Sequence, residues 1–213
     1  MQPGGAVPLS GRIAFAAACA ATVLAPVHAL SRYATPDGRE DLEDPVVRAW
    51  AEPAARALRA LLDWSDPETV YTAYGRLWLP VLLAATVHAL VVRRGRVPSG
   101  AERWGWRIAL AGYVLATASV LGDYWTPWRD ESFVVLGVPG MLTSVAGSAV
   151  LGVALLCRGV RPRSTGWLLA TWPLTLVALS AVVALGAALL PMLWAWGLAR
   201  GTGASLRPEP VSR

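Results

Sequence analysis

Few side chains in this sequence combine a reactive type with a setting that would use it. His28 and His88 are its two histidines, and both fall in apolar runs. An ionisable group inside a membrane-length apolar run is a functional hypothesis by default, because its burial is costly. His88 stands five residues before Arg93, which is about 7 to 8 Å of helix rise from the end of its run. His28 lies toward the far end of another run. Their depths differ by roughly 15 Å on the same rise, too much for both rings to flank one haem iron. A b-type cytochrome is therefore disfavoured. His88 reads as a packed, hydrogen-bonded ring, with proton coupling as the sharper alternative. Asp123, next to Tyr124, ends a third run and is placed to pair with Arg129 or Arg76. His88 and Asp123 are the candidate intramembrane polar residues.

Asp37, Glu40, Asp41, Glu43 and Asp44 form a carboxylate cluster. Hard divalent cations take oxygen ligands, but the EF-hand spacing is absent and Arg39 interrupts the acids. A solvated loop with helix caps fits better. Cys19 and Cys157 form no C-x-x-C and no metal-ligand spacing, and read as small buried hydrophobes. Pro98-Ser99-Gly100 begins like the phosphate-binding motif of phosphatidic-acid-type phosphatases, yet Ala101 stands where the nucleophilic His belongs. Gly147-Ser148 resembles part of a rhomboid-protease motif, yet Ala149 replaces its second Gly. Neither a P-loop nor H-E-x-x-H occurs. No catalytic residue, metal site or cofactor is assigned, and the chain reads as a non-enzyme.

The clearest repeat is physical rather than chemical. Gly140, Ser144, Ser148 and Gly152 recur every four residues, a small-residue ridge that lets another helix approach closely. Ala17, Ala21 and Ala25 make a weaker ridge, as do Gly112 and Ala116. Such ridges serve packing within one bundle, contact with a second copy or partner subunit, or a path lined by Ser144 and Ser148.

The elements that must carry these residues follow from composition. Of 213 residues, 55% are hydrophobic and 15% charged, and mean hydropathy is +0.46. A soluble domain carries roughly 25% charged residues. Several apolar runs approach the roughly 17 to 25 residues that cross a bilayer. All 19 basic residues are Arg. Their excess is sorted by connection: residues 31–76 carry a net −3, 93–103 a net +3, 123–132 a net −2, and 158–165 three Arg and no acid. The positive-inside rule places the Arg-rich loops in the cytoplasm, so basicity reflects topology and not nucleic acid binding. The expected layout is an all-α polytopic transmembrane helix bundle of six apolar helices with five or six crossings. Residues 1–12 are a cytoplasmic N-terminus, 13–30 the first span, 31–76 an acidic outer loop and 77–92 the second span. An Arg-rich inner loop at 93–105 precedes the third span at 106–122. An outer loop at 123–132, the fourth span at 133–157, an Arg-rich inner loop at 158–166 and the fifth span at 167–183 follow. Residues 187–199 form a short sixth span or interfacial helix after a turn at Ala184-Leu185-Gly186, and 200–213 a disordered tail.

Tryptophan at run ends (Trp78, Trp104, Trp106, Trp125, Trp128, Trp167, Trp172) fits the headgroup level, where an indole finds both apolar and polar surroundings. Val27-His28-Ala29 is also a small-x-small cleavage pattern, but the first run exceeds the usual signal-peptide core of about 7 to 15 residues. In the outer loop, Asp44-Pro45 starts a helix whose apolar stripe is Val46, Trp50, Ala54, Ala57, Leu58, Leu61 and Leu62, with Pro53 expected to kink it. Ser65-Asp66-Pro67-Glu68 reads as a capping box opening a helix with Tyr71 and Tyr74.

The Arg-rich inner loops, short spans and acidic outer loop together resemble the uncharacterised multi-pass integral membrane proteins of high-GC bacteria. The absence of Lys and Asn and the scarcity of Ile and Phe agree with a GC-rich genome. The resemblance implies residence in the inner (plasma) membrane, with the lipid bilayer as first partner, and no particular activity. The leading expectation is a non-enzymatic accessory or interaction protein, acting as a homo-oligomer or with a membrane partner subunit. A small transporter or permease subunit comes second, and a membrane enzyme third. The transporter reading requires His88, Ser144 and Ser148 to face one cavity. The enzyme reading requires several of His88, Asp123 and the loop carboxylates to converge.

Overall fold

The computed structural model describes residues 8–183 and 186–199. The tail expected at 200–213, most of the segment 1–12, and Ala184 and Leu185 of the expected turn lie outside the described residues. Helix α1 (Leu9–Ala34) is followed by a 3-10 turn (Arg39–Glu43), α2 (Pro45–Ala57) and α3 (Arg59–Leu62). Helix α4 (Pro67–Arg76) continues through Leu77 into α5 (Trp78–Arg94). Next come α6 (Gly100–Trp125), α7 (Arg129–Ser132), a π-helical turn (Phe133–Gly137) and α8 (Val138–Cys157). Helix α9 (Arg163–Val182), a 3-10 turn (Ala187–Leu189) and α10 (Leu190–Leu198) complete the order.

Among the described residues 85% are helical and none is in a strand. Four stretches are long and apolar enough to cross a membrane: Leu9–Ala34, Pro67–Arg94, Gly100–Trp125 and Phe133–Cys157. Of the six apolar helices expected, these four meet that measure. Helix α9 has 20 residues, and Ala187–Leu198 is a shorter apolar helix. The helices at 13–30, 77–92 and 106–122 extend beyond the expected bounds. An apolar run reports burial, whereas helical hydrogen bonding continues into polar flanks such as Arg12 and Arg103.

Small residues set the packing. Helices α6 and α8 run antiparallel, meeting as Gly105–Leu151, Ala109–Gly147, Gly112–Ser144 and Ala116–Gly140. A Cβ on Gly112 would lie 2.2 Å from the Ser144 backbone nitrogen, an approach only glycine permits. Tyr113 and Ser148 share a buried 2.6 Å hydrogen bond across the same seam. Gly152 turns instead to α9, where a Cβ would meet the Ala170 backbone at 2.3 Å. Helix α10 packs along α1, with Gly197 over Ala14, Phe15 and Ala18 and the Trp194 indole donating to Thr22.

Tryptophan divides into two populations. Trp104, Trp125, Trp128 and Trp167 are exposed, as expected of headgroup anchors, but Trp78, Trp106 and Trp172 are core residues. Trp106 Nε1 donates to Glu102 and Trp172 Nε1 to the Ala188 carbonyl, so neither needs water. Cys19 and Cys157, expected to be buried, are free thiols on exposed helix flanks.

The bundle has an Arg-rich end and an acidic end. At the Arg-rich end the Glu102 carboxylate is fully buried and receives Arg96 at 2.7 Å and Arg158 at 2.6 Å. Arg158 also donates to the Ser99 carbonyl at 3.1 Å and to its hydroxyl. At the acidic end α2 lies across the tips of α1 and α9. Asp44 caps it through Val46 N at 2.7 Å, with Pro45 at the first helical position. The stripe is centred on Val47 and Ala51, with Trp50, Ala54, Leu58 and Leu62 of the expected set packed against the same cluster, and Val46 is exposed. Pro53 is accommodated inside α2. Trp50 Nε1 donates to the Val182 carbonyl at 2.7 Å and the Tyr33 hydroxyl to that of Val183 at 3.1 Å. Asp66, not Ser65, caps α4, accepting from Thr69 N at 3.0 Å.

Candidate ligand-binding cleft

A cleft of about 750 Å³ opens at the acidic end between α1, α4, α5, α6 and the start of α8. Its centre is an aromatic and hydroxyl cluster drawn from four helices. Tyr124, in the last turn of α6, places its hydroxyl 3.1 Å from His28 Nε2 of α1 and 3.1 Å from the Tyr71 hydroxyl of α4. The His28 ring stacks on Tyr71, with centroids 4.8 Å apart and planes 14° from parallel. Trp78, the first residue of α5, meets His28 edge-on at 6.1 Å.

Gly75 makes this arrangement possible. A Cβ there would sit 2.0 Å from the Tyr124 ring, so any side chain would push Tyr124 off α4. Arg76 fixes the same tyrosine from behind, donating to its carbonyl at 3.0 Å while lying over Trp125.

Charge lines the rim. The Arg129 guanidinium stands 4.7 Å above the Tyr71 ring and pairs with Glu68 at 3.2 Å. The Tyr71 ring thus meets both the His28 ring and the Arg129 guanidinium. Burial opposes the Arg129 charge, but hydrogen bonds to Tyr71 and Glu68 outweigh it, and its pKa lies above the ordinary guanidinium value. Arg32 pairs with Asp41 at 3.1 Å. Asp37, Glu40 and Asp44 complete the acidic rim, and Asp123, accepting from Ser119 at 3.3 Å, lies deeper. The floor is apolar, formed by Leu82, Val120, Met141 and Leu189.

The residues singled out in the sequence separate. Asp123 and four of the five clustered carboxylates line the cleft. Arg129 pairs with Glu68 and Arg76 holds the Tyr124 carbonyl, while Asp123 meets Ser119. His88 lies at the opposite end. Its Nε2 donates to the Ala199 carbonyl at 2.9 Å, which leaves Nδ1 to accept from Ser10 at 3.1 Å. Gly140, Ser144 and Ser148 are covered by α6 and Gly152 by α9. Among the described residues no three His, Cys, Asp or Glu side chains are grouped to hold a metal ion.

His28, Tyr71, Trp78, Tyr124 and Arg129 were not read from the sequence as one site. A signal existed: of five tyrosines, Tyr33, Tyr71 and Tyr124 line this cleft, all near helix ends flanking the acidic loops. No family model matches the chain, and neither a curated protein nor a solved structure matches it.

Proposed function

We propose that this protein is a multi-pass inner-membrane protein that binds a small organic molecule in the acidic-end cleft, as a transporter or permease subunit does, though not through the cavity of His88, Ser144 and Ser148 expected for one, since none of the three lines the cleft. The Arg-rich loops lie in the cytoplasm under the positive-inside rule, and the cleft faces outward. The observation that carries the reading is the convergence of His28, Tyr71, Asp123, Tyr124 and Arg129, from four elements, on one cleft with an apolar floor. A concave, largely apolar site with a few convergent polar groups is the usual form of a small-molecule site.

An accessory role was expected to make its contacts through small-residue ridges and the acidic outer loop, and the Gly140–Gly152 ridge is occupied by α6 and α9. The convergence expected of an enzyme is met in part, by Asp123 and four loop carboxylates but not His88, and catalysis has less support than binding. The cleft presents phenols, a histidine and carboxylates, and its Ser119 hydroxyl is directed to Asp123 rather than to His28.

Native mass analysis of the protein purified from its own membranes tests this reading. A bound small molecule is expected, and it should be lost when Met141→Trp fills the cleft floor. A stoichiometric second protein with no small molecule would overturn the proposal and restore the accessory role.

A further inference from the structure

Given that the cleft is a ligand site, three features bear on the ligand's charge. The first is sign. The lining holds two arginines against six carboxylates, and both arginines are already paired, with Asp41 and Glu68. Low-dielectric helix walls concentrate such a potential within a cleft.

The second is aromatic. His28, Tyr71, Trp78 and Tyr124 place four rings around the cleft, and the Tyr71 ring already holds a guanidinium at 4.7 Å. Aromatic faces bind organic cations through the ring quadrupole, most strongly where water is excluded. The absence of a metal-type grouping among the described residues favours an organic cation over a metal ion.

The third is a donor without an acceptor. Trp78 is 2% exposed and lines the cleft, yet its Nε1–H has no hydrogen-bond partner. Gly186, which also lines the cleft, lies against the six-membered ring of that indole, where a Cβ would lie 3.1 Å from Trp78 Cζ2 and 3.6 Å from Cε2, the carbon bonded to Nε1. A buried donor left unpaired costs free energy that a bound acceptor recovers.

We infer that the cleft binds an organic ammonium compound carrying a hydrogen-bond acceptor, with the cation held by Asp123 and the aromatic faces and the acceptor by Trp78 Nε1–H. Arg129 occupies one of those faces and acts as a built-in competitor.

The test is calorimetric titration of the full-length protein in nanodiscs. The probes are choline, its neutral isostere 3,3-dimethylbutanol, 3,3-dimethylbutyrate as the anion, and tetramethylammonium as a cation lacking an acceptor. Choline should bind about tenfold or more tighter than the isostere, and the anion should not bind. Asp123→Asn should weaken choline about tenfold, and Arg129→Gln should tighten it severalfold. Trp78→Phe keeps the ring and removes the donor, so it should weaken choline severalfold and leave tetramethylammonium unchanged. Equal binding of the isostere or the anion overturns the cationic assignment while leaving the cleft a ligand site. Equal loss of choline and tetramethylammonium in Trp78→Phe overturns the acceptor assignment. If no probe binds, the inference fails, whereas a small molecule co-purifying with the unmodified protein and lost in Met141→Trp would still support the proposed function.

Discussion

His88 uses both ring nitrogens within the protein, on Ser10 and the Ala199 carbonyl, whereas His28 spends one on Tyr124 and turns the other toward Gly186 at the cleft wall. The same contrast runs through the two ends of the bundle. At the Arg-rich end Glu102 is enclosed by Arg96, Arg158 and Trp106, and His88 ties α5 to the N-terminal turn of α1 and the end of α10. Those contacts close helix ends onto one another. At the acidic end the polar groups are arranged around open space, and Tyr71 and Tyr124 hold the geometry of a wall. An ionisable residue in an apolar helix is thus a lock at one end and a candidate ligand contact at the other. What separates the two cases is whether its polar atoms are matched from inside the chain.

That contrast is most directly broken at Glu102. Glu102→Ala leaves Arg96 and Arg158 charged in a site built for a carboxylate, and removing one partner of a buried pair costs about 3 to 5 kcal/mol. A thermal melt in detergent should show a large fall in Tm, and an unchanged Tm would mean that the network does not hold the Arg-rich end. Next in size is Gly112→Leu. It forces a side chain onto the Ser144 backbone, so about 1 to 3 kcal/mol or more of overpacking cost is expected, with the seam between α6 and α8 opening under hydrogen exchange. Comparing the histidines sharpens the point. His88→Ala strands a buried carbonyl and should cost about 1 to 3 kcal/mol, while His28→Gln keeps most of the buried volume, leaves Tyr124 bonded to Tyr71 and should cost about 1 kcal/mol. If the His28 substitution proves the more damaging, the His28 wall is the structural one.

The smallest effect concerns Asp66. Hydrogen bonds from Thr69 hold its carboxyl below the ordinary aspartate value. A carboxyl whose native pKa is depressed contributes stability that is complete above its unfolded pKa of about 3.9 and is lost as pH falls through the lower native value. Asp66→Ser keeps a capping oxygen without the charge, so an acid titration of Tm should lose a slight slope below about pH 4.

Much of the scaffold was legible because it rests on local rules. Asp44-Pro45 announces the start of α2, and the four-residue recurrence from Gly140 to Gly152 marks a close-packing face. Which neighbour covers that face is a tertiary fact; three of its members face α6 and Gly152 faces α9. The cleft was largely illegible for the same reason. Tyr71 and Tyr124 are 53 positions apart and His28 and Tyr124 are 96 apart, and no periodicity joins them. Trp78, Trp106 and Trp172 misled because an apolar run's end marks a change of composition, whereas their indoles lie among other helices. The carboxylate cluster was visible as residues, but its facing rings were not.

The final helix carries a consequence of its own. Ala187–Leu198 is 12 residues long, about 18 Å at helical rise, against a hydrocarbon core of about 30 Å. It sits beside the first half of α9, as the Trp172–Ala188 and Thr165–Ala195 contacts fix, and so begins about 15 Å of helix rise short of the α9 end at Val182. Leu189 and Gly186 border the cleft where it stops. Its depth is therefore a measurement made in helical turns, and each turn gained or lost before Leu190 would move the floor by about 5.4 Å. Chain length sets how deep the cleft runs, while side chains set the chemistry of its lining.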